Sequence, residues 1–334
     1  MLRFVLNSEE IACLRALLAA IVATYESAED PDFLLEASVF AHELPRSLRA
    51  ALNSFRLTEP SSALFVISGF PVDDEKIGRT PEHWNLTAAA RAPTLEEEIL
   101  FVLTGSLLGD CIGWSTQQGG RIVHELMPIR GMEQEQIGTG SEQVIWWHTE
   151  DAFHALHGDY LAMMCMRNPD RVATTFASLE RLRLDPEDWQ TLFEPHFTIR
   201  PDHSHRAENA AVAGGDFSRI EKMQRQPERI ALLSGDLRSP YIRIDPYFMD
   251  PVKDNLPAQK AFAALIKAID AEIGDVVLEP GDICFIDNCK SVHGRRAFKA
   301  RYDGRDRWFK RMNVTRDLRK SRAALSDSAS RIIL

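Results

Sequence analysis

Gln143-Val144-Ile145-Trp146-Trp147-His148-Thr149-Glu150 is a β-branched and aromatic run that ends on a His-x-Glu tripeptide. Such a run reads as a strand. Residues two apart on a strand share a side, so His148 and Glu150 face one way and Thr149 the other. Far downstream, Gly281-Asp282-Ile283-Cys284-Phe285-Ile286-Asp287-Asn288 reads as another apolar strand, and Ser291-Val292-His293-Gly294-Arg295 delivers His293 after a turn. Two imidazoles and one carboxylate take one face of an octahedron and leave three positions open, which is the ligand set of a non-haem iron(II) oxygenase. An isolated His-x-Glu is common by chance and ordinarily marks two polar residues on a half-exposed strand. Here it lies among Trp146, Trp147 and Phe153, where unpaired polar groups are costly. Arg305-Asp306-Arg307-Trp308-Phe309-Lys310-Arg311 adds several guanidinium groups on a strand-like stretch. Arg307 there offers the fixed, always-charged fork that a dicarboxylate bound at iron requires for its far end.

The 334 residues suffice for two average domains or for one large β-rich catalytic domain with helical decoration. The reading taken is one catalytic unit over 1–334, with 1–60 as helical scaffold and 200–228 as an active-site lid. A hydrophobic content of 45% allows a large core, and 39 basic against 49 acidic residues give a net charge of −10. That balance carries no basic footprint for nucleic acid. The late arginines Arg319 and Arg322 read as a solvated face, unlike Arg307 and Arg311. Five cysteines (Cys13, Cys111, Cys165, Cys284, Cys289) lack C-x-x-C spacing and read as free thiols in a reducing compartment. Met1-Leu2-Arg3-Phe4 carries no cleavable leader, and the apolar run from Ala16 to Ala23 is too short to cross a bilayer. The expected location is the cytoplasm.

Ser8 is the expected N-cap of a first helix whose Ile11, Leu14, Leu18, Ile21 and Val22 form a buried stripe. A helical stretch from Asp32 to Leu57 is interrupted at Pro45. Ser62–Gly69 reads as a central strand, Thr80–Pro93 as a loop and Glu96–Leu108 as a helix. Gly113–Gln118 and Arg121–His124 read as a hairpin. Strands follow at Tyr160–Met166, Val172–Ala177, Arg229–Leu233 and Tyr241–Ile244, then a helix at Ala258–Ile273. The last strands are Val276–Leu278, Ile283–Ile286 and Trp308–Val314. Many short strands behind a helical N-terminal layer predict a mainly β fold. Its core is a double-stranded β-helix, a cupin-like jelly roll, with helices packed on one sheet.

The chain resembles the clavaminate synthase-like iron(II)/2-oxoglutarate oxygenases. More narrowly, it is similar to the amino-acid hydroxylases of non-ribosomal peptide antibiotic pathways that act on arginine and enduracididine. The resemblance rests on His42-Glu43-Leu44-Pro45-Arg46, Gly113-Trp114-Ser115-Thr116-Gln117-Gln118, Trp147–Phe153 and Arg167-Asn168-Pro169-Asp170. It continues through Ile286-Asp287-Asn288, Val292–Arg295 and Arg301–Trp308. It implies that His148, Glu150 and His293 hold Fe(II), and that Arg307 clasps 2-oxoglutarate with help from Thr175 or its neighbour Thr174. It also implies that Gln117 and Arg311, with Glu150 beside them, bind the substrate's amino-acid head. Arginine-hydroxylating relatives receive the guanidinium on two aspartates two residues apart. Here Arg243-Ile244-Asp245-Pro246-Tyr247 keeps Asp245 and has Tyr247 at the second place. A guanidinium, a cyclic guanidine, a ureido group and an amine all stay open as the substrate's far end.

The implied reaction uses O2 and 2-oxoglutarate to hydroxylate a free basic L-amino acid, with L-arginine at C3 as the reading taken. Enduracididine, citrulline or lysine, oxidation at C4, and desaturation are the alternatives. A non-catalytic ligand-binding jelly roll would be marked by a lost ligand or a lost Arg307, and neither is lost. His154 and His157 read as surface residues or as outer neighbours of the metal. His203 and His205 read as solvated or lid residues, and His42, His83, His124 and His196 as structural.

Overall fold

The structure is a computed structural model and describes residues 1–87, 91–207 and 216–334. Strand β1 (Leu2–Val5) leads into helices α1 (Ser8–Thr24), α2 (Pro31–Ala41) and α3 (Arg46–Thr58). The N-cap of α1 is Asn7, one residue before the expected Ser8. Its side chain accepts from the Glu10 amide while Glu10 accepts from the Asn7 amide, both at 2.9 Å, a reciprocal box that the extended backbone of Asn7 permits. Pro45 precedes α3, where the lack of an amide proton does no harm. Next come β2 (Leu64–Ser68), α4 (Leu95–Ser106), β3 (Asp110–Trp114), β4 (His124–Leu126), β5 (Ile145–His148), β6 (Tyr160–Arg167) and β7 (Thr174–Ser178). After α5 (Pro186–Thr191), β8 (Phe197–Ile199) and α6 (Ser218–Arg225) come β9 (Glu228–Ile230), β10 (Leu233–Asp236), β11 (Ser239–Ile242) and β12 (Met249–Pro251). The chain ends with α7 (Leu256–Glu272), β13 (Gly274–Val276), β14 (Ile283–Asp287), β15 (Ser291–Arg295), β16 (Trp308–Thr315) and β17 (Ile332–Ile333).

Two sheets face each other. The larger runs β1-β2-β14-β6-β16-β3-β17, with β4 also on β16, and the smaller runs β13-β7-β15-β5. Alternation along the strands assigns their faces. Leu161, Met163 and Cys165 of β6, with Cys284, Ile286 and Phe309, point between the sheets and meet Phe176 of β7. Ala162, Met164, Met166, Phe285 and Met312 point outward and bury against α1–α4 through Leu14, Leu18, Leu48, Leu52 and Phe101. Behind the smaller sheet, Trp147, Ala177 and Val292 pack on α7 through Phe262, Leu265 and Ile269. Each such side chain contributes about 1.5–3 kcal/mol of burial. This is the expected double-stranded β-helix with the N-terminal helices on one sheet, and α7 covers the other.

One expectation was off in topology. Gly113–Gln118 and Arg121–His124 do not form a hairpin. β3 and β4 instead lie end to end along β16, pairing with Asn313–Thr315 and Phe309–Arg311 respectively. The turn between them runs through positive φ at Gln118, Gly119 and Gly120, and Gln118 holds the Glu125 backbone with both ends of its amide. Tyr160–Met166 and Val172–Ala177 are strands as expected but belong to opposite sheets, so the Asn168-Pro169-Asp170 turn crosses the sandwich. Gly281 precedes β14 at φ +87, where a Cβ would stand 1.8 Å from the Phe70 carbonyl oxygen. No side chain fits there. The segment expected as a loop at Thr80–Pro93 holds a short 3-10 turn at Trp84–Thr87, and residues 88–90 lie outside the described residues. Of the expected lid, 208–215 also lie outside them. The remainder holds a turn at His203–His205 and α6, which has no fully buried residue but packs Ile220 and Met223 against the core. No helix among the described residues is long and apolar enough to cross a membrane.

Candidate active site

His148 closes β5 and stands directly opposite His293 on β15, with the pairing shifted by an irregularity immediately beyond. Glu150 Oε2 lies 3.5 Å from His148 Nε2 and 3.2 Å from His293 Nε2. Three mutually perpendicular ligands at about 2.1 Å from an ion would stand about 3 Å apart, so the spacing suits one metal. His148 Nδ1 donates to the Trp146 carbonyl at 2.8 Å, which leaves Nε2 to coordinate. Thr149 turns away as expected, and exchanges hydrogen bonds with Ile244 through its backbone and its hydroxyl. Asn288 clamps the Glu150 backbone, accepting its amide at 2.7 Å and donating to its carbonyl at 3.1 Å. Burial opposes charge on His148, but Glu150 and then Asp245 outweigh it and raise its pKa to about 9. Burial also opposes the Glu150 carboxylate; Arg311 and the two imidazoles hold its pKa well below the usual range.

Arg311 pairs with Glu150 Oε1 through Nη1, while Nη2 donates to Gln117 Oε1 at 3.0 Å and to His124 Nδ1 at 2.7 Å. His124, expected to be structural, therefore holds the Arg311 guanidinium in place. Its Nε2 donates to the Arg121 carbonyl at 2.9 Å, and burial pushes its pKa well down. Both facts make Nδ1 an acceptor. Among the described residues Arg311 Nε has no hydrogen-bond partner.

At one end of the cavity, Arg307 lies buried with its guanidinium carbon 3.9 Å over the Phe309 ring. Burial lowers its pKa to about 10. Arg295 sits nearby, tied to the Gly140 and Gln143 carbonyls, and burial followed by the Arg307 charge lowers its pKa to about 9. Among the described residues no carboxylate pairs with either arginine. Two buried cations without an acid make a seat for an anion. Thr174 lines this cavity. Thr175, opposite Gly294, falls on the other face of β7, so the hydroxyl near Arg307 belongs to the alternative threonine.

Asp245 also lines the cavity, buried, its Oδ1 accepting the Tyr247 and Phe248 amides at 3.0 and 3.4 Å. Burial, reinforced by Asp202 and opposed by His148, raises its pKa to about 6. Asp202 was not foreseen. It lies on the cavity wall and holds the amide and hydroxyl of Ser204 through one oxygen. The 3-10 turn that follows is fastened to the core. His205, expected to be solvated or part of a lid, is fully buried between Thr116 Oγ1 at 2.7 Å and Asp151 Oδ1 at 3.0 Å. Gln117 Nε2 reaches Ser204 Oγ at 2.5 Å. Asp151 also takes Trp114 Nε1 and Asn313 Nδ2 at 2.6 and 2.8 Å, so Asp151, Asp202 and His205 form a hydrogen-bonded fastening, not a second metal centre. His154 is buried against Trp114 and is not a surface residue. Short-range sequence reading misses Asp202, His205 and Asn288 because their partners are remote in sequence.

A jelly roll with a His-Glu-His cluster and an anion seat behind it defines the iron- and 2-oxoglutarate-dependent dioxygenase class. The sequence pattern described as "Taurine catabolism dioxygenase TauD, TfdA family" matches residues 62–313, and the chain belongs to that family. Among curated proteins it is 43% identical over 343 residues to the enduracididine beta-hydroxylase of Streptomyces hygroscopicus, covering 100% of both chains. It is 45% identical over 332 residues to the L-ornithine/L-arginine 3-hydroxylase of Catenulispora acidiphila, covering 96% of both. Among solved structures, the non-heme iron oxygenase OrfP in complex with Fe, succinate and (3S)-hydroxy-L-Arg superposes with a TM-score of 0.96. That match is at 40% identity and covers 100% of both chains; OrfP has also been solved with Fe and alpha-ketoglutaric acid. The chain is an iron- and 2-oxoglutarate-dependent dioxygenase.

Proposed function

We propose that this chain hydroxylates a free basic L-amino acid, L-arginine at C3 above all. The observation that carries this reading is a cavity with two polar demands beside the His-Glu-His cluster: Arg311, whose charge Glu150 already meets, keeps an N–H donor to fill, and Asp245 has no cation paired with it among the described residues. Arg311 has an unpartnered Nε, whereas Asp245 is a buried carboxyl pushed up to about 6 with a second carboxylate beside it. An amino acid with a cationic side chain meets both demands at once. The relatives' names, an enduracididine beta-hydroxylase and an L-ornithine/L-arginine 3-hydroxylase, point the same way.

In this reading His148, Glu150 and His293 hold iron(II), while Arg307, with Thr174, takes the distal carboxylate of 2-oxoglutarate. Iron(II) with 2-oxoglutarate and O2 supplies the oxygen that replaces one hydrogen on an unactivated carbon, with succinate and CO2 released. The side chains of this protein choose the carbon. Arg311 anchors the α-carboxylate, Gln117 and Glu150 flank the α-amino group, and Asp245 and Asp202 draw the cationic tail away. The β-carbon is thereby turned toward the metal ligands. Residues 200–228 would act as the lid of one catalytic unit spanning 1–334, with the fastened Asp202–His205 turn as its fixed edge. Five thiols without a disulfide suit a reducing cytoplasm.

The test is incubation of the protein with iron(II), 2-oxoglutarate, O2 and each of L-arginine, enduracididine, citrulline and lysine. Expected are stoichiometric succinate and a product heavier by one oxygen, with the new C–O proton at C3 by NMR. A product lighter by two hydrogens would mean desaturation, and oxygen at C4 would move the anchoring argument by one carbon.

A further inference from the structure

Tyr247 lies on the cavity wall two residues after Asp245, and its surroundings show what it can do there. Its ring and that of Phe248 both line the cavity beside Asp245. They lie 4.9 Å apart, edge to face, and the His203 ring closes the group at 4.9 Å from Phe248 and 6.0 Å from Tyr247. Phe248 is buried while Tyr247 is 48% exposed, so the wall runs from the floor of the cavity to its mouth. The two carboxylates available to a cation come from different segments. Asp245 already spends one oxygen on the Tyr247 and Phe248 amides, and Asp202 spends one on Ser204. Among the described residues, each has its other oxygen left.

Resting on the function proposed above, we infer that this wall makes Tyr247 a specificity residue that selects planar, delocalised cations, guanidines and cyclic guanidines, over ammonium ions. A guanidinium carries its N–H donors in its plane and has bare faces. It can give edge donors to two separate carboxylate oxygens and lay a face against the Tyr247 ring without stranding a hydrogen. An ammonium is a compact, strongly hydrated charge with three divergent donors. Against the same wall it loses water that two single oxygens only partly replace. A half-exposed ring at the mouth also leaves room for the bulk of a cyclised guanidine, which a short carboxylate in a closed seat would not favour.

The experiment compares L-arginine with L-ornithine, which has the same head and an ammonium tail. It uses the wild type, Tyr247→Phe and Tyr247→Leu, with two readouts: kcat/KM from succinate release, and equilibrium binding to the metal-free protein by calorimetry. Expected is a wild-type preference for arginine that Tyr247→Phe keeps and Tyr247→Leu reduces about tenfold through arginine alone, from the size of a partly desolvated cation–π contact. Equal losses for both substrates in Tyr247→Leu, or an unchanged arginine preference, would overturn the inference while leaving the hydroxylase reading standing. Tyr247-dependent discrimination in binding without any turnover would do the reverse. Binding of neither amino acid would overturn both.

Discussion

His293 sits directly across the β5–β15 pairing from His148, and this cross-strand contact fixes the metal-ligating geometry before any metal arrives. The ring centroids are 4.6 Å apart, and Asn288 holds the third ligand by its backbone. Replacing His148 by Ala should abolish succinate release and leave the purified protein with well under one iron per chain by elemental analysis. Asn288→Ala should be milder, a roughly 10–100-fold weaker iron affinity, as expected for a group that orients a ligand without touching the ion. Full iron content and turnover in His148→Ala would remove the oxygenase assignment from these residues.

Arg307 is a buried guanidinium without an acid partner among the described residues, which costs stability until an anion arrives. Arg307→Met should therefore raise KM for 2-oxoglutarate on the order of 10–100-fold, the worth of a charge-assisted hydrogen-bonded pair. It should also leave the melting temperature of the ligand-free protein unchanged or higher. A lower melting temperature with an unaltered KM would mean that Arg307 serves the fold instead.

The metal cluster and the fold were legible because both rest on local pattern. His148 and Glu150 share a side through strand periodicity, and the apolar runs at Ile283–Ile286 and Trp308–Val314 announce strands wherever they dock. Pairing was less legible. β3 and β4 look like a hairpin because they are adjacent in sequence, yet β16 is long enough to take both end to end. Which of Thr174 and Thr175 faces inward depends on a one-residue register, which composition does not fix. Asp202, His205 and His124 were hidden for another reason. Each acquires its role from a partner on a distant segment, so its own neighbourhood reads as ordinary loop or strand.

Asp245 gives the pH dependence its direction. Its folded pKa of about 6 lies above the roughly 3.9 of a free aspartate, so the folded protein holds this proton more tightly than the unfolded chain. The stabilising effect is full below about pH 4 and is lost as pH rises through 6; above that, the empty site carries a buried charge. Asp245→Asn should accordingly stabilise the substrate-free protein at pH 8 by up to about 3 kcal/mol and leave it little changed at pH 4. Substrate affinity runs oppositely, because the cation binds the ionised form: KM for arginine in the wild type should rise as pH falls below 6. A KM flat from pH 8 to 5 would detach Asp245 from the substrate.

Lys310 is fully buried on the helix-facing side of β16, next to Arg311 in sequence but on the opposite face. Its ammonium meets Glu98 Oε1 at 2.8 Å and Glu125 Oε1, while Trp308 Nε1 donates to the other Glu125 oxygen at 2.6 Å and Thr94 Oγ1 shares Glu98 Oε1 at 2.7 Å. Removing one member of such a network strands the others, so Lys310→Met should destabilise by about 3–5 kcal/mol, read by denaturant unfolding. The triple change Lys310→Met, Glu98→Gln, Glu125→Gln should recover much of that loss, because no charge is then left unpaired at this position. The network fixes the strand that carries Arg311 to the cavity. Arg307 directly precedes the same strand, whose Trp308 belongs to the network. Any activity lost in Lys310→Met should therefore appear as a higher KM for the amino acid and for 2-oxoglutarate together, and unaltered KM values in a destabilised protein would show instead that the network serves the fold alone.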